Sequence, residues 1–335
     1  MNIWTKLKTK LLRSKDLATL GSSDLIGGGI TSGLWFYLAS IMDAEAYGEI
    51  HFMISIAATG SILSLIVTPT VMTVYVSKNY KLESTLYFII LLNGLASSAV
   101  VILLFSRLDI GFLILGFIIN DLAIAHIVGK KQYRRYAKYL LVQKLSAVIL
   151  CISLFYTIGN VGIIYGLFIS YLPFAIIIYK GFKETKINFS ELKTRKGFIF
   201  NNYLTNIAGM FRGQIDVMLI GAFLGFSLLG NFAIALQIYT AFMIIPNIVI
   251  RYILPDDSRG ISNTKLKKLL VIISILISIF GVLIAPHVIS FVLPQYIDAI
   301  MFIQIMSLGV IPATLSLILQ TKLLGIEKSK HVLIG

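Results

Sequence analysis

The sequence is poor in the residues that soluble chemistry relies on. Cys151 is its only cysteine, so the chain holds no internal disulfide and no cysteine-rich metal site. Only 13% of its 335 residues are charged, against roughly 25% in soluble domains. Acidic residues are the scarcest: 15 Asp and Glu face 29 Lys and Arg. The histidines His51, His126, His287 and His331 are scattered, and no HExxH spacing occurs. No GxxxxGK[ST] phosphate loop is present, which excludes an ATP-driven motor in this chain. No outer loop offers the paired carboxylates of glycosyl transfer. These absences point to a non-enzyme without a resident metal or cofactor.

What the chain has is apolar sequence, 57% of its residues. A helix needs roughly 20 apolar residues to cross a bilayer. Ten runs meet that length: 17–41, 48–75, 83–106, 109–129, 137–158, 160–179, 197–224, 227–253, 266–285 and 298–323. The fold class expected is an all-α, multi-pass protein of the cell membrane. The first run is not a cleaved signal peptide, because it exceeds a signal core and further spans follow at once.

The basic residues fall in alternate loops. Lys6, Lys8, Lys10, Arg13 and Lys15 precede the first run. Lys78 and Lys81, then Lys130, Lys131, Arg134, Arg135 and Lys138, fill later loops of the same side. So do the groups around 180–196, 251–268 and 322–330. The intervening loops are short and nearly free of basic residues, with Arg107 the exception and a longer stretch after Pro286. This is the positive-inside pattern, and it places the N-terminus in the cytoplasm. It also accounts for the net charge of +14, so no nucleic-acid partner is needed.

The longest cytoplasmic linker, KGFKETKINFSELKTRKG (180–197), divides the chain. Residues 1–180 are expected to form a six-helix bundle, 181–196 a linker, and 197–335 a second bundle of four helices. A weak repeat spans that divide. LASIMDAEAYGEIHFMISIA (38–57) resembles IGAFLGFSLLGNFAIALQIY (220–239) at an offset of 182, aligning Gly48 with Gly230 and Ala39 with Gly221. Six spans separate the copies, so both run in the same direction, as in parallel-repeat transporters.

Ionisable residues inside spans are costly and mark function by default. Arg212 and Asp216 are four apart and share a face if the seventh span is one helix. Asn201, Asn202, Thr205, Asn206 and Gly209 extend that stripe. Two readings stay open: a pair that only joins helices, or a cavity wall where Arg212 binds an anionic group and Asp216 orients it or takes a coupling cation. A guanidinium suits phosphate because its planar fork donates two parallel hydrogen bonds. Asp24 aligns with Asn206 through the repeat offset. Asp121 lies mid-span with His126 nearby, His126 reading mainly as structural. Gln143 and Lys144 are candidates for an inner vestibule, with Lys144 equally able to snorkel to the headgroups. Gln237, Asn247 and Gln304 are weaker candidates, since amides also join helices.

Pro69, Pro173, Pro246 and Pro312 fall within spans and each removes a backbone hydrogen bond. GSSDLIGGGITSG (21–33) places Gly27, Gly28 and Gly29 in the middle of the first span. Glycine there costs about 1 kcal/mol each relative to alanine, so the segment reads as a bent helix and a candidate gate beside Asp24. Gly29 and Gly33, four apart, would admit a close neighbour.

Three stretches carry a family resemblance: 37–57, QIDVMLIGAFLGFSLLGNFAIALQIY (214–239) and 291–330. They resemble the Wzx-type polysaccharide repeat-unit flippases of the MOP superfamily, which also holds lipid II flippases and MATE exporters. DVMLIGAFLG (216–225) looks like that family's seventh-span signature, and Tyr47-Gly48 like the turn after its first span. The resemblance implies two six-helix bundles around a cavity that opens alternately to each side. It implies a polyprenyl phosphate- or pyrophosphate-linked oligosaccharide as cargo, with Arg212 at its phosphate, and coupling to a Na+ or H+ gradient. Membrane lipids and glycan-assembly membrane proteins are the partners it implies. The chain departs from the family at Pro294, where glycine is common, and at its end. GIEKSKHVLIG (325–335) reads as a loop and the first turn of an eleventh span, so the second bundle is expected to lack its last two helices. The alternatives are a MATE-like cation-coupled antiporter and a non-transporting truncated member of a glycan-assembly complex.

Overall fold

A computed structural model describes residues 3–193, 196–210, 213–257 and 263–325, and it gives side chains for most of 19–320. The described residues are almost wholly helical and contain no strand. All ten apolar runs appear as helices. The first lies in α1 (Ile3–Ile41), the second in α2 (Ala44–Ser64) and α3 (Pro69–Ser77), and the next three form α4 (Glu83–Phe105), α5 (Leu108–Gly129) and α6 (Tyr133–Ile158). The sixth comprises α7 (Asn160–Tyr171), a 3-10 turn Leu172–Phe174 and α8 (Ala175–Glu184). A short α9 (Ser190–Lys193) lies in the expected linker. Beyond it come α10 (Lys196–Met210), α11 (Ile215–Phe223), α12 (Phe226–Phe242), α13 (Ile244–Asp257) and α14 (Thr264–Leu283). The stretch after Pro286 is not a plain loop. It forms α15 (Ala285–Val292) and a 3-10 turn Pro294–Tyr296 before α16 (Ala299–Gly325).

Seven of these segments are long and apolar enough to cross a membrane, and an eighth is the α2–α3 pair, bent by 46°. The bend has a local cause. Pro69 opens α3, and the Thr68 hydroxyl accepts a hydrogen bond from the Val71 amide at 3.3 Å, restarting the helix at a new angle. Leu103 is 82% exposed, Phe223 78% and Phe291 89%. Such surfaces are stable only against lipid or another chain, so the molecule is a multi-pass membrane protein.

The chain packs as two compact units, Met1–Thr31 with Glu49–Phe226 and Ser32–Gly48 with Ser227–Gly335. In the first unit the tightest pairing is the α6–α7 hairpin. Gly162 and Gly166 lie four apart on α7 and face the main chain of α6. A Cβ at Gly166 would stand 2.7 Å from the Cys151 backbone, and Cys151 Sγ reaches the Ile163 carbonyl at 3.4 Å. Without a hydrophobic force between helices in lipid, such small-residue contacts hold them together. At the start of α4, Ser84 and Thr85 bind the linker. The Thr185 hydroxyl accepts from the Ser84 amide at 2.9 Å, and Thr85 Oγ1 accepts from the Asn188 amide at 2.7 Å. Two otherwise orphaned amides are thereby satisfied.

Arg107, the exceptional basic residue, is explained by its partners. Its guanidinium forks onto Asp109 with two bonds of 2.9 Å and reaches Glu49 at 3.4 Å. The bond to Asp109 outweighs burial and raises the guanidinium above its ordinary value. The Asp109 side chain is only 3% exposed. Arg107→Ala should therefore cost about 2–3 kcal/mol, because a buried carboxylate loses its counter-charge. A melting curve in detergent checks this, and Arg107→Ala with Asp109→Ala should regain much of the loss.

Candidate functional site

The polar face of α10 and α11 is open. Thr205, Gly209 and Asp216 are exposed, and Asn202 and Asn206 are half-buried. Thr205 Oγ1 donates to the Asn201 carbonyl at 2.9 Å and Asn202 Nδ2 to the Phe198 carbonyl at 2.8 Å. Arg212 lies outside the described residues. The stripe is not carried by one continuous helix. α10 ends at Met210, the Gln214 amide bonds back to its carbonyl at 3.0 Å, and α11 begins at Ile215. Gly213 in the gap supplies the weak helical propensity that permits the break. Asp216 consequently stands in the first turn of a new helix, where the positive end of the dipole favours a carboxylate. The break is held by α2: Ser55 Oγ donates to the Gln214 carbonyl at 2.8 Å and lies 3.2 Å from its Oε1. Tyr203 Oη anchors α10 to the Leu63 carbonyl at 2.9 Å.

A second polar group joins α1 to α6. Tyr136 Oη donates to Asp24 Oδ1 at 2.6 Å. One turn on, a Cβ at Gly27 would touch Leu140 and Lys144 at 3.4–3.6 Å. Asp24, Gly27 and Lys144 therefore lie along one helix pair. Gln143 turns the other way and donates to Ser170 Oγ of α7 at 3.0 Å. Asp121 accepts from Asn120 Nδ2 at 3.2 Å. His126 is buried with Nδ1 2.8 Å from the Tyr87 hydroxyl, a link between α5 and α4 that fits its structural reading.

The glycine triplet is helical throughout, since α1 is unbroken from Ile3 to Ile41. The close neighbour expected at Gly29 and Gly33 is absent: nothing lies within 4 Å of a Cβ built at Gly28, Gly29 or Gly33. The prolines act differently from one another. Pro173 sits in the 3-10 turn, Pro246 in the first turn of α13, and Pro312 within the continuous α16.

In the second unit, Gln237 Nε2 of α12 donates to Ser32 Oγ of α1 at 2.9 Å. With the offset of 182, Ser32 corresponds to Gln214 and Ser55 to Gln237. The Ser55–Gln214 bond of the first unit and the Ser32–Gln237 bond of the second thus join equivalent positions. In both, the second helix of one repeat donates to the first helix of the other, Ser55 Oγ to the Gln214 main-chain oxygen and Gln237 Nε2 to Ser32 Oγ. Each unit pairs the first helix of one repeat with the second helix of the other. The turn after α1 is closed within the second unit. Gln295 Nε2 donates to the Ala39 carbonyl at 2.9 Å, and the Tyr296 hydroxyl reaches the Met42 and Asp43 carbonyls at 3.2 and 3.3 Å. These satisfy carbonyls that a helix end leaves orphaned. Burial, with Asp43 beside it, raises the Tyr296 phenol, which stays a donor. Tyr47 packs edge-on to both Trp35 and Tyr296, at 6.1 and 5.7 Å between ring centres. Sequence reasoning missed Gln295 and Tyr296, whose only local signal is the adjacent Pro294.

No known family profile matches the sequence, and no curated protein matches it. Solved structures do. An inward-facing multidrug-resistance MATE transporter of the MOP superfamily matches with a TM-score of 0.66 at 14% identity, over 92% of this chain and 83% of that one. An outward-facing MATE transporter gives 0.60 at 14% identity, over 96% and 84%. A eukaryotic MATE transporter gives 0.54 at 13% identity, over 94% and 83%. The chain shares the fold of these MATE transporters. All three neighbours are transporters. The repeat seen in the sequence acquires a structural counterpart within this MATE-like fold, the exchanged Ser–Gln pairs.

Proposed function

We propose that this chain is a membrane transporter that moves a polyprenyl phosphate- or pyrophosphate-linked oligosaccharide across the cell membrane by alternating access. The observation that supports it most is the exchanged helix pairing, Ser55 with Gln214 and Ser32 with Gln237. Ser32 and Ser55 belong to the first repeat and Gln214 and Gln237 to the second, so on this reading these two bonds are the ones that alternating access opens and remakes. On this reading the moving bundles are 1–180 and 197–335, joined by 181–196, with the N-terminus cytoplasmic. The exposed face of α10–α11 gives the cargo polar groups: Thr205, Asn202, Asn206 and Asp216. Arg212 supplies the cation for the phosphate, and Asp216 the carboxylate for a coupling Na+ or H+. Asp24, Lys144 and Asp121 line the approach through the first bundle, while Gln143, a candidate from the sequence, is turned toward Ser170 instead. Gly27–Gly29, Gly33 and Pro69 are compliant points of the first bundle and Pro246 of the second. Glycan-assembly membrane proteins are partners on the same reading.

Arg212→Ala should abolish movement of a fluorescent lipid-linked oligosaccharide while the protein still inserts. Surviving movement would assign Arg212 a structural role. Asp216→Asn should remove the pH or sodium dependence of the same assay. The likeness to multidrug-resistance MATE transporters favours one further reading, a cation-coupled antiporter of organic cations. Uptake of an organic cation, untouched by lipid-linked sugar, would select it.

A further inference from the structure

The α6–α7 hairpin closes tightly at Gly162 and Gly166 and then parts. Pro173 converts the end of α7 into a 3-10 turn, and the Tyr139 and Phe174 rings wedge between the helices at 5.5 Å. A recess of about 160 Å³ opens there. Its floor is polar, formed by Gln143, Ser146 and the Ser170 hydroxyl that accepts from Gln143. Its rim is apolar and faces outward, with Val142 55% exposed and neighbouring Ile176 50%. Lys138 stands at its mouth, one turn from exposed Arg134, while Arg135 lies over the Tyr139 ring at 5.5 Å.

We infer that this recess is a binding site for an anionic phospholipid of the leaflet on the chain's basic side. Depth and charge carry the assignment. At 1.5 Å per residue, Gln143 lies about 7.5 Å along α6 from Lys138. The headgroup layer on each side of a bilayer is about 5–8 Å thick. A phosphate held by Lys138 and Arg134 therefore brings its glycerol esters level with Gln143, with Ser146 about 4.5 Å deeper along α6. The recess has the volume of about five waters, enough for the ester region, and the acyl chains run along the apolar rim. Ser146 Oγ and Ser170 Oγ already donate to the Gln143 and Leu167 carbonyls, which leaves the second N–H of the Gln143 amide to meet an ester or phosphate oxygen. The zwitterionic choline headgroup adds a positive charge beside Lys138, so an anionic lipid is preferred.

The test is native mass spectrometry on the full chain in mild detergent, titrated with dioleoyl phosphatidylglycerol or dioleoyl phosphatidylcholine. The parent should retain phosphatidylglycerol in preference. Lys138→Gln should weaken that preference about fivefold, the effect of one basic residue near a charged surface. Ser146→Leu, which fills the recess, should abolish retention of both lipids, and both variants should melt as the parent does without lipid. Equal retention of the two lipids by the parent overturns the inference, as does unaltered retention in both variants. Displacement of phosphatidylglycerol by a tenfold lower concentration of polyprenyl phosphate would reassign the recess to that lipid and overturn it too. Lipid retention is read without any transport measurement, so this inference and the transport reading fail separately.

Discussion

Cross-linking Ser40→Cys to Gln295→Cys, in a Cys151→Ala background, is expected to stop transport completely, and a thiol reductant to restore it. Gln295 Nε2 lies 3.5 Å from the Ser40 carbonyl, beside its shorter bond to Ala39. Both side chains are exposed, so the substitutions themselves cost little. In the proposed division Ser40 belongs to the first bundle and Gln295 to the second, so the turn after α1 must leave the 3-10 turn when the cavity opens outward. A covalent tether removes one of the two states, and a transporter confined to one state cannot cycle. Continued transport with the cross-link complete would mean that these elements travel together. The compact units themselves, in which 32–48 accompanies 227–335, would then be the moving bodies.

Gly166→Leu is expected to have the largest effect on folding. Even a Cβ at this position would stand 2.7 Å from the Cys151 Cα and amide nitrogen. Backbone cannot rotate away as a side chain can, so α7 must shift off α6 along its length. Overpacking typically costs about 1–3 kcal/mol, and leucine here should fall at or beyond the upper end. Gly28→Leu is the matched control, since nothing lies within 4 Å of a Cβ there. In detergent, Gly166→Leu should aggregate or melt far below the parent, and Gly28→Leu should melt close to it. Equal melting of the two variants would show that the hairpin is not held by its glycines.

These two glycines also mark how far a one-dimensional reading reaches. The ten apolar runs are legible because the bilayer sets their length. Gly225 is legible as a turn between α11 and α12, and its φ of +92° is a conformation suited to glycine. The bend at Pro69 is legible because proline cannot continue a helix. Gly162 and Gly166 carry the same four-residue spacing as Gly29 and Gly33, so spacing alone does not tell which pair meets a neighbour, and Gly27–Gly29 and Gly33 stand out further by their clustering. In a membrane helix the lipid face and the packed face are both apolar, so periodicity does not say which glycine meets a neighbour. The turn at 213–214 escapes for a related reason: residues 203–221 look like one helix until Ser55 is seen holding Gln214. The exchanged pairing is latent in the offset of 182, but an alignment relates positions and not the partners they choose.

Reconstitution of the chain into vesicles carrying a fluorescent lipid-linked oligosaccharide, with quenching of the outer leaflet by an impermeant reductant, tests the central proposal most directly. The proposal predicts that the protein makes nearly all of the labelled lipid accessible to the quencher, and that Arg212→Ala protein leaves the inner half protected. A protected inner half with the parent protein, in vesicles that accumulate an organic cation against a sodium or proton gradient, would contradict it.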